Sequence, residues 1–295
     1  MMLIDQRRRS LGRFEVGRVL PHPHHHMVGP FIFFDHLGPV ELPKGLPREA
    51  DVRPHPHIGL ATVTYVFAGE IVHRDSIGIE QVIRPGEVNW MTAGRGITHS
   101  ERFERARREG GPIHAIQSWV ALPQTHEETA PHFAHHAGND LPLEDERGVR
   151  LRLLAGEYFG MRAKVETLSP LFYLHVALEA AARVALPREH PERAAYLVSG
   201  AASAEGQPLA PGQMIVFDEN APAVVEASAP SVLMLLGGAP VGPRFIEWNF
   251  VSSSRERIEQ AKADWRAGRM KLPDGDDKEF IPLPPDMHRS ANAMS

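Results

Sequence analysis

Two short motifs carry the residue types that hold metal ions. His55-Pro56-His57 lies near the start of the stretch from Arg53 to Arg102, and His99-Ser100-Glu101 lies at its end. In an extended strand, side chains at i and i+2 point to the same face. His55 and His57 therefore share a face, and so do His99 and Glu101. Between His57 and His99, 42 positions apart, lie short apolar runs punctuated by turn residues: Ala68-Gly69, Pro85-Gly86 and Gly94-Arg95-Gly96. Such a pattern folds back on itself. If the two motif strands meet in one barrel, three imidazoles and one carboxylate converge, a donor set for a divalent transition metal. A lone histidine is more often structural than a ligand, and this chain has 17 of them. Two same-face pairs are a stronger signal than any one of the others.

Whole-chain properties set the frame. At 295 residues and 42% hydrophobic, the chain is long enough for one large or two ordinary domains with sizeable cores. Its formal charge of −5 argues against a general electrostatic grip on nucleic acid. The absence of cysteine excludes a disulfide framework and thiolate chemistry, and with it we expect a reducing, cytoplasmic location. No apolar run approaches the roughly eighteen residues of a membrane span, so no membrane partner is expected. Arg7-Arg8-Arg9 is followed by no apolar stretch and reads as a solvated charge run rather than an export signal. Frequent Gly and Pro with short apolar runs favour an all-β sandwich or barrel.

Several segments resemble the pirin family of the cupin superfamily. They are Pro54-His55-Pro56-His57-Ile58-Gly59, Thr62-Val63-Thr64-Tyr65, His73-Arg74-Asp75-Ser76, Trp90-Met91-Thr92-Ala93-Gly94 and Gly96-Ile97-Thr98-His99-Ser100-Glu101. Pro30-Phe31, Phe34-Asp35-His36-Leu37-Gly38-Pro39 and Phe280-Ile281-Pro282-Leu283-Pro284 fit upstream and near the far end. The resemblance is dense in residues 30–101 and diffuse after about residue 150. It implies an all-β fold of two cupin (jelly-roll) barrels with one metal in the N-terminal barrel. The metal motif falls on His55, His57, His99 and Glu101. Family members often carry Glu where this chain has Ala61, which cannot bind metal, so Glu101 must supply the carboxylate.

The chain in order supports this layout. We expect an N-terminal metal-binding domain over residues 1–135 and a degenerate cupin with a C-terminal helix and tail over 136–295. Residues 13–20 alternate as a strand. Pro21-His22-Pro23-His24-His25-His26 reads as a loop, because prolines restrict it and adjacent histidines point apart. Asp35 suits a turn-capping carboxylate better than a partner orienting a ligand imidazole. Val63, Tyr65 and Phe67 share parity with His57 and are expected to line the barrel with Trp90 or Phe31. His73 shares parity with Asp75 and is expected to be hydrogen-bonded rather than metallated. Gln117 is placed to lean on the site. Residues 123–150 read as an exposed connection.

Residues 151–240 read as a worn copy of the first barrel. Pro211-Gly212 echoes Pro85-Gly86; thirteen and fifteen positions on, His99 and Glu101 are replaced by Val225 and Ala227. His190 is a single donor there, and Leu197, Val216 and Val224 are expected to close that interior. In the tail, Ser253 and Glu256 suggest a capping box, Ile258, Ala261 and Trp265 a helical apolar face, and Gly268 its end. Helix and tail are expected to pack on one of the barrels.

A divalent ion held by three imidazoles and one carboxylate keeps a charge near +1 and, if octahedral, two open positions. Fe(II) is the first choice, with Cu, Ni, Mn or Zn as alternatives. The resemblance implies flavonol (quercetin) 2,3-dioxygenase activity, with a flavonol and O2 as substrates and Glu101 able to act also as a catalytic base. The alternative implied by the same family is a non-enzymatic, metal-containing, redox-responsive regulator that binds a transcription factor or metabolic enzyme. A third reading is a Zn- or Mn-dependent isomerase or hydrolase.

Overall fold

The computed structural model describes residues 1–11 and 14–285. Strands dominate, as the Gly/Pro punctuation and short apolar runs require. Among the described residues there are two α-helices, Glu104–Glu109 and Arg255–Arg266. Neither is long and apolar enough to cross a membrane. The strand expected over residues 13–20 is present from Phe14 to Leu20, and Arg13 lies outside the described residues. The chain forms two compact units, each assembled from separate stretches. One comprises residues 9–16, 35–135 and 242–295; the other comprises 1–8, 17–34 and 136–241.

The first unit contains both histidine motifs. Its four-stranded sheet runs in the order Val52–His57, Ile97–Arg102, Ile71–Asp75, Glu80–Ile83. Leu60–Ala68 pairs antiparallel with Val88–Thr92 on one side and Gly111–Ala121 on the other. Inward-facing residues grade from apolar to polar along each strand. One end is a packed cluster that includes Val66, Ile71, Ile83, Phe103, Ile113 and Ala115. Two and four positions further along the same faces come Thr64, His73, Glu101, His99 and Gln117. Strand period alone thus separates a hydrophobic floor from a polar chamber.

Parity does not carry from the first histidine strand into the next. Ile58 and Gly59 break the strand, and Gly59 adopts φ +67° in the turn. A Cβ there would sit 2.0 Å from the Val251 carbonyl oxygen, so only glycine fits. After the turn, Thr64 faces the chamber, hydrogen-bonded to Glu101. Val63, Tyr65 and Phe67 therefore take the opposite face, contrary to expectation. Met91, paired with Thr62, shares the chamber face, whereas Trp90, paired with Val63, does not.

The helix Arg255–Arg266 and the tail belong to this unit. Ser254, not Ser253, caps the helix, its Oγ accepting from Arg257 N at 3.2 Å. Ser253 instead donates to buried Glu127, which also pairs with buried Arg244 at 2.8 Å. Residues 123–135 are therefore more than an exposed connection. Ile258, Ala261 and Trp265 pack on Ile58 and Phe250, and Gly268 ends the helix at φ +65°. Trp265 Nε1 donates to the Ile281 carbonyl, and Ile281 N to the Pro54 carbonyl, tying the tail to the first histidine strand.

The tail also delivers Asp276 behind the second histidine strand. Arg102, 1% exposed, forms a bidentate pair with it: Nε to Oδ2 at 2.8 Å and Nη2 to Oδ1 at 2.7 Å. Ser100 Oγ donates to Oδ2 at 2.6 Å. Burial alone would raise the Asp276 pKa, but the bonds from Arg102 and Ser100 more than offset it and hold it below the usual carboxylate range.

In the second unit, Met2–Asp5 adds to the edge of a larger sheet by pairing with Gln213–Phe217. A smaller sheet orders Arg183–Ala185, Val224–Ala227, Ala202–Ala204, Gln207–Leu209. Both sheets bury one apolar core that includes Leu153, Phe172, Leu197, Ile215, Phe217 and Leu235. Val225 and Ala227 are part of this core, where His99 and Glu101 would stand in the first barrel. Val225, Ile215 and Phe217 fill the interior rather than Val224 and Val216, a one-residue difference in phase. His190 packs beside Phe172 with ring centroids 5.1 Å apart. Phe31 belongs to this unit and packs on Tyr173, 5.2 Å between centroids.

Removing Asp276 takes the bidentate partner from buried Arg102 and the acceptor from Ser100, leaving Asp51 at 3.4 Å and Glu279 at 3.0 Å as the remaining compensation. Asp276→Ala is therefore expected to destabilise the fold by about 3–5 kcal/mol, measured by urea unfolding. A loss below about 1 kcal/mol, the scale of an exposed ion pair, would mean that Arg102 finds other compensation.

Candidate metal centre

Sheet register assembles the site. The second histidine strand lies between two partners, with His99 opposite His55 on one side and opposite Asp75 on the other. Glu101 lies opposite His73. The first histidine strand is at the sheet edge, where Pro54 and Pro56 need no ladder N–H on the open side. The register shift between His99 and Glu101 accommodates its extra residue.

His55, His57 and His99 converge as expected. One ring nitrogen from each lies within 4.8 Å of the others, and all three side chains are buried. His57 Nε2 and His99 Nε2 are 3.1 Å apart. The surrounding bonds fix the tautomers. His55 Nδ1 faces the Arg53 carbonyl at 2.9 Å and His57 Nδ1 faces the Asn249 carbonyl at 3.0 Å, so both Nδ1 atoms carry the proton. His73 Nε2 faces the Asp75 carboxylate at 3.0 Å and donates to it, which leaves His73 Nδ1 as an acceptor. With His73 neutral, His99 Nδ1, 3.4 Å from that atom, is the donor between them. Each of the three imidazoles thus keeps an Nε2 lone pair free. Lone pairs on His57 and His99 facing each other at 3.1 Å repel unless a cation stands with them. The donor set fits a divalent metal on this ground.

His73 is hydrogen-bonded, as its parity with Asp75 suggested. Asp75 Oδ1 is itself fixed by the Ile77 and Ile79 backbone N–H groups. Sequence reasoning did not reach the link from His73 to His99, nor the Asn249 carbonyl. It also missed Trp119, whose ring lies 5.0 Å from His57, and Phe133, stacked on His73 at 4.5 Å. Trp119 shares strand parity with Gln117, a signal present in the sequence; Phe133 had none.

Glu101 stands two residues beyond His99, outside the group of atoms within 4.8 Å. Its Oε1 accepts from Gln117 Nε2 at 2.7 Å and Thr64 Oγ1 at 3.4 Å. Its Oε2 has no hydrogen-bond partner among the described residues. Burial pushes the Glu101 pKa up, opposed by His73 and by those two bonds. Burial pulls His55 down to about 4 and holds His57 and His99 well below 6.5. Ala61 is buried and offers no donor. Asp35 is buried within the strand Phe31–Leu42, not in a turn. In the 22–26 loop, His22 and His25 exchange backbone hydrogen bonds, and neither joins the cluster.

Metal-free protein is expected to lose stability as pH falls from about 6.5 toward 4. In that window the unfolded histidines take up protons that the buried ones refuse, about 1.4 kcal/mol per pH unit for each. Glu101, with its raised pKa, acts in the opposite sense but is one group against three. Urea unfolding at pH 7 and pH 5 tests this, and equal stability at both would contradict it. His99→Ala is expected to remove most of the bound metal, and His73→Ala to weaken it by about 10–100-fold. Metal analysis after dialysis reads both, and full stoichiometry in His99→Ala would refute the ligand assignment.

The pirin family model matches residues 13–120, and the model for the pirin C-terminal cupin domain matches residues 173–271. A pirin-like protein of Caulobacter vibrioides is 59% identical over 284 residues, covering 96% of this chain and 99% of that protein. A pirin-like protein of Solanum lycopersicum is 30% identical over 269 residues, covering 89% and 86%. The crystal structure of a quercetin 2,3-dioxygenase from Acinetobacter baumannii superposes with a TM-score of 0.91 at 30% identity, covering 100% of this chain and 98% of that one. With two β-barrels, a three-histidine cluster in the first and an apolar core in the second, this chain belongs to the pirin family.

Proposed function

We propose that this protein is a metal-dependent dioxygenase that opens the ring of a flavonol such as quercetin with O2, releasing carbon monoxide. The observation that carries the reading is the set of three buried imidazoles with every Nε2 lone pair turned to one place. Full-length similarity to the Acinetobacter enzyme supports the substrate class. We assign the metal to His55, His57, His99 and Glu101, with Fe(II) the preferred ion. A divalent metal there supplies Lewis acidity toward the flavonol hydroxyl and a path for electrons from substrate to dioxygen.

The protein's own groups do the rest. The Nδ1 anchors hold the imidazoles in one orientation without conformational search. Trp119 and Met91 give a planar aromatic ligand apolar cover on the chamber face. Glu101 is held through Oε1 by Gln117 and Thr64, which leaves Oε2 to coordinate or to accept the flavonol hydroxyl proton. Its raised pKa brings its basicity toward that task.

Oxygen uptake and carbon monoxide release with quercetin are expected from protein loaded with Fe(II), Cu, Ni or Mn. No uptake with any of these ions and any flavonol would remove the dioxygenase reading and leave the regulatory one. Glu101→Gln keeps shape and an oxygen donor but loses charge and basicity. It is expected to retain weakened metal binding while turnover per bound metal falls by about 10²–10⁴-fold, the scale of a lost general base. Unchanged turnover per metal would make Glu101 a ligand alone.

A further inference from the structure

A second polar cavity lies in the same unit, away from the histidines. Its volume is about 330 Å³, and its lining contains none of His55, His57 or His99. One wall is strand residues Ile97 and Thr98 with Ile58; the opposite wall is the helix Arg255–Arg266 and residues 269–271. Thr98 has opposite parity to His99, so it reaches this cavity from the outer face of the strand, while Ile97 contributes at the strand's end.

Four cationic side chains line the cavity, Arg95, Arg257, Arg269 and Lys271, against one carboxylate, Asp264. This concentration stands in a chain whose formal charge is −5. Three of the four have partners, but these occupy only part of each head group. Arg269 gives Nε to Asp264 at 2.7 Å, and its two terminal nitrogens have no partner among the described residues. Arg257 gives Nε to Glu128 at 2.8 Å and Nη2 to the Arg95 carbonyl at 2.6 Å, leaving Nη1. Lys271 pairs with Asp274 at 2.8 Å. The Arg95 guanidinium has no partner among the described residues. With Glu128 and Asp274 counted, four positive charges meet three negative ones, a surplus of one.

The neutral groups are arranged in the same sense. Ser76 Oγ accepts from Thr98 N at 3.1 Å, so its own proton remains available to a ligand. Thr98 Oγ1 donates to the Lys271 carbonyl, which fixes the segment that carries Arg269 and Lys271. Gly96 lines the cavity at φ +151°, and a Cβ there would come within 3.1 Å of Met270 Cε. A side chain at that position would narrow the chamber, and glycine keeps it open.

We propose that this cavity is a binding site for a small oxyanion, a molecule bearing a carboxylate or a phosphate group, separate from the metal centre. The Arg269 guanidinium, held at Nε and free at both ends, matches the geometry of two oxygens on one carbon or phosphorus, and Arg95 and the remaining Arg257 nitrogen add donors beside it. Ile58, Ile97, Ala261 and Met270 give the cavity an apolar part, but its charged lining is cationic, four side chains against the single carboxylate of Asp264. The site does not rest on the dioxygenase reading, because none of its groups belongs to that chemistry.

Isothermal titration calorimetry at low ionic strength, with inorganic phosphate and separately with succinate, tests the proposal. Saturable binding of one equivalent per chain is expected for at least one of the two. Phosphate binding alone identifies a phosphate-ester site, and succinate binding alone a carboxylate site. The Arg95→Ala/Arg269→Ala variant is expected to weaken that binding by about tenfold or more, the scale of one or two charge-assisted hydrogen bonds. Lys271→Glu, at a residue whose side chain is 60% exposed, is expected to do the same. Both variants are expected to keep their bound metal. Absence of saturable heat from both anions overturns the proposal. So does affinity unchanged in both variants.

Discussion

Everything near the candidate metal centre depends on one strand being held firmly from both sides. Ile97–Arg102 points His99 and Glu101 into the chamber and Ser100 and Arg102 out of it. The outward pair meets a single acceptor, Asp276, through three hydrogen bonds of 2.6–2.8 Å. A buried guanidinium costs several kcal/mol unless nearly all its donors are satisfied. Arg102 meets that condition with Asp276, Asp51 and Glu279 together. Once it is met, the alternative positions of the strand become expensive, because any slip would expose or orphan the charge. The register that sets His99 opposite His55 is thereby tied to a residue 174 positions away in the tail.

This explains which parts of the site can be read in the sequence. Strand period is local, so His55 with His57, and His99 with Glu101, declare themselves as same-face pairs. The same logic finds His73 with Asp75, and places Gln117 on the site. It fails where the strand is interrupted. Ile58-Gly59 resets the phase, which is why Val63, Tyr65 and Phe67 turn away and Thr64 turns in. It also fails for partners delivered by distant segments. Nothing local in Asn249 or Asp276 marks the carbonyl that orients His57 or the carboxylate that anchors Arg102. The side on which the tail packs was open in the sequence for the same reason. Its anchors are a Pro54 carbonyl and an indole N–H, and backbone acceptors leave no residue signature.

The two barrels show how little is needed to change an interior. Both are antiparallel sheets closed over residues of one strand parity. In the first, the chamber end carries His99 and Glu101; in the second, Val225 and Ala227 occupy those places and join an apolar core. The second interior gains burial worth roughly 25 cal/mol per Å² of apolar surface. The first gives that up, and holds three buried imidazoles with their lone pairs turned toward one another. Such a chamber is a poor core and a good ligand set.

The three imidazoles are not equivalent. His55 and His57 donate to backbone carbonyls, which are neutral. His99 donates to His73, and His73 donates to the Asp75 carboxylate. Asp75 also accepts two backbone N–H groups, so its charge has a fixed seat. A carboxylate at the end of a hydrogen-bond chain polarises each member toward the lone pair at the other end. Toward a bound metal His99 would on this ground be the strongest donor of the three, and its orientation depends on side chains rather than backbone. It is also the one that shares its strand with Glu101. The electron-rich side of the centre is thus built on the strand that Asp276 holds, so the position of the best donor and the rigidity of its support have the same origin.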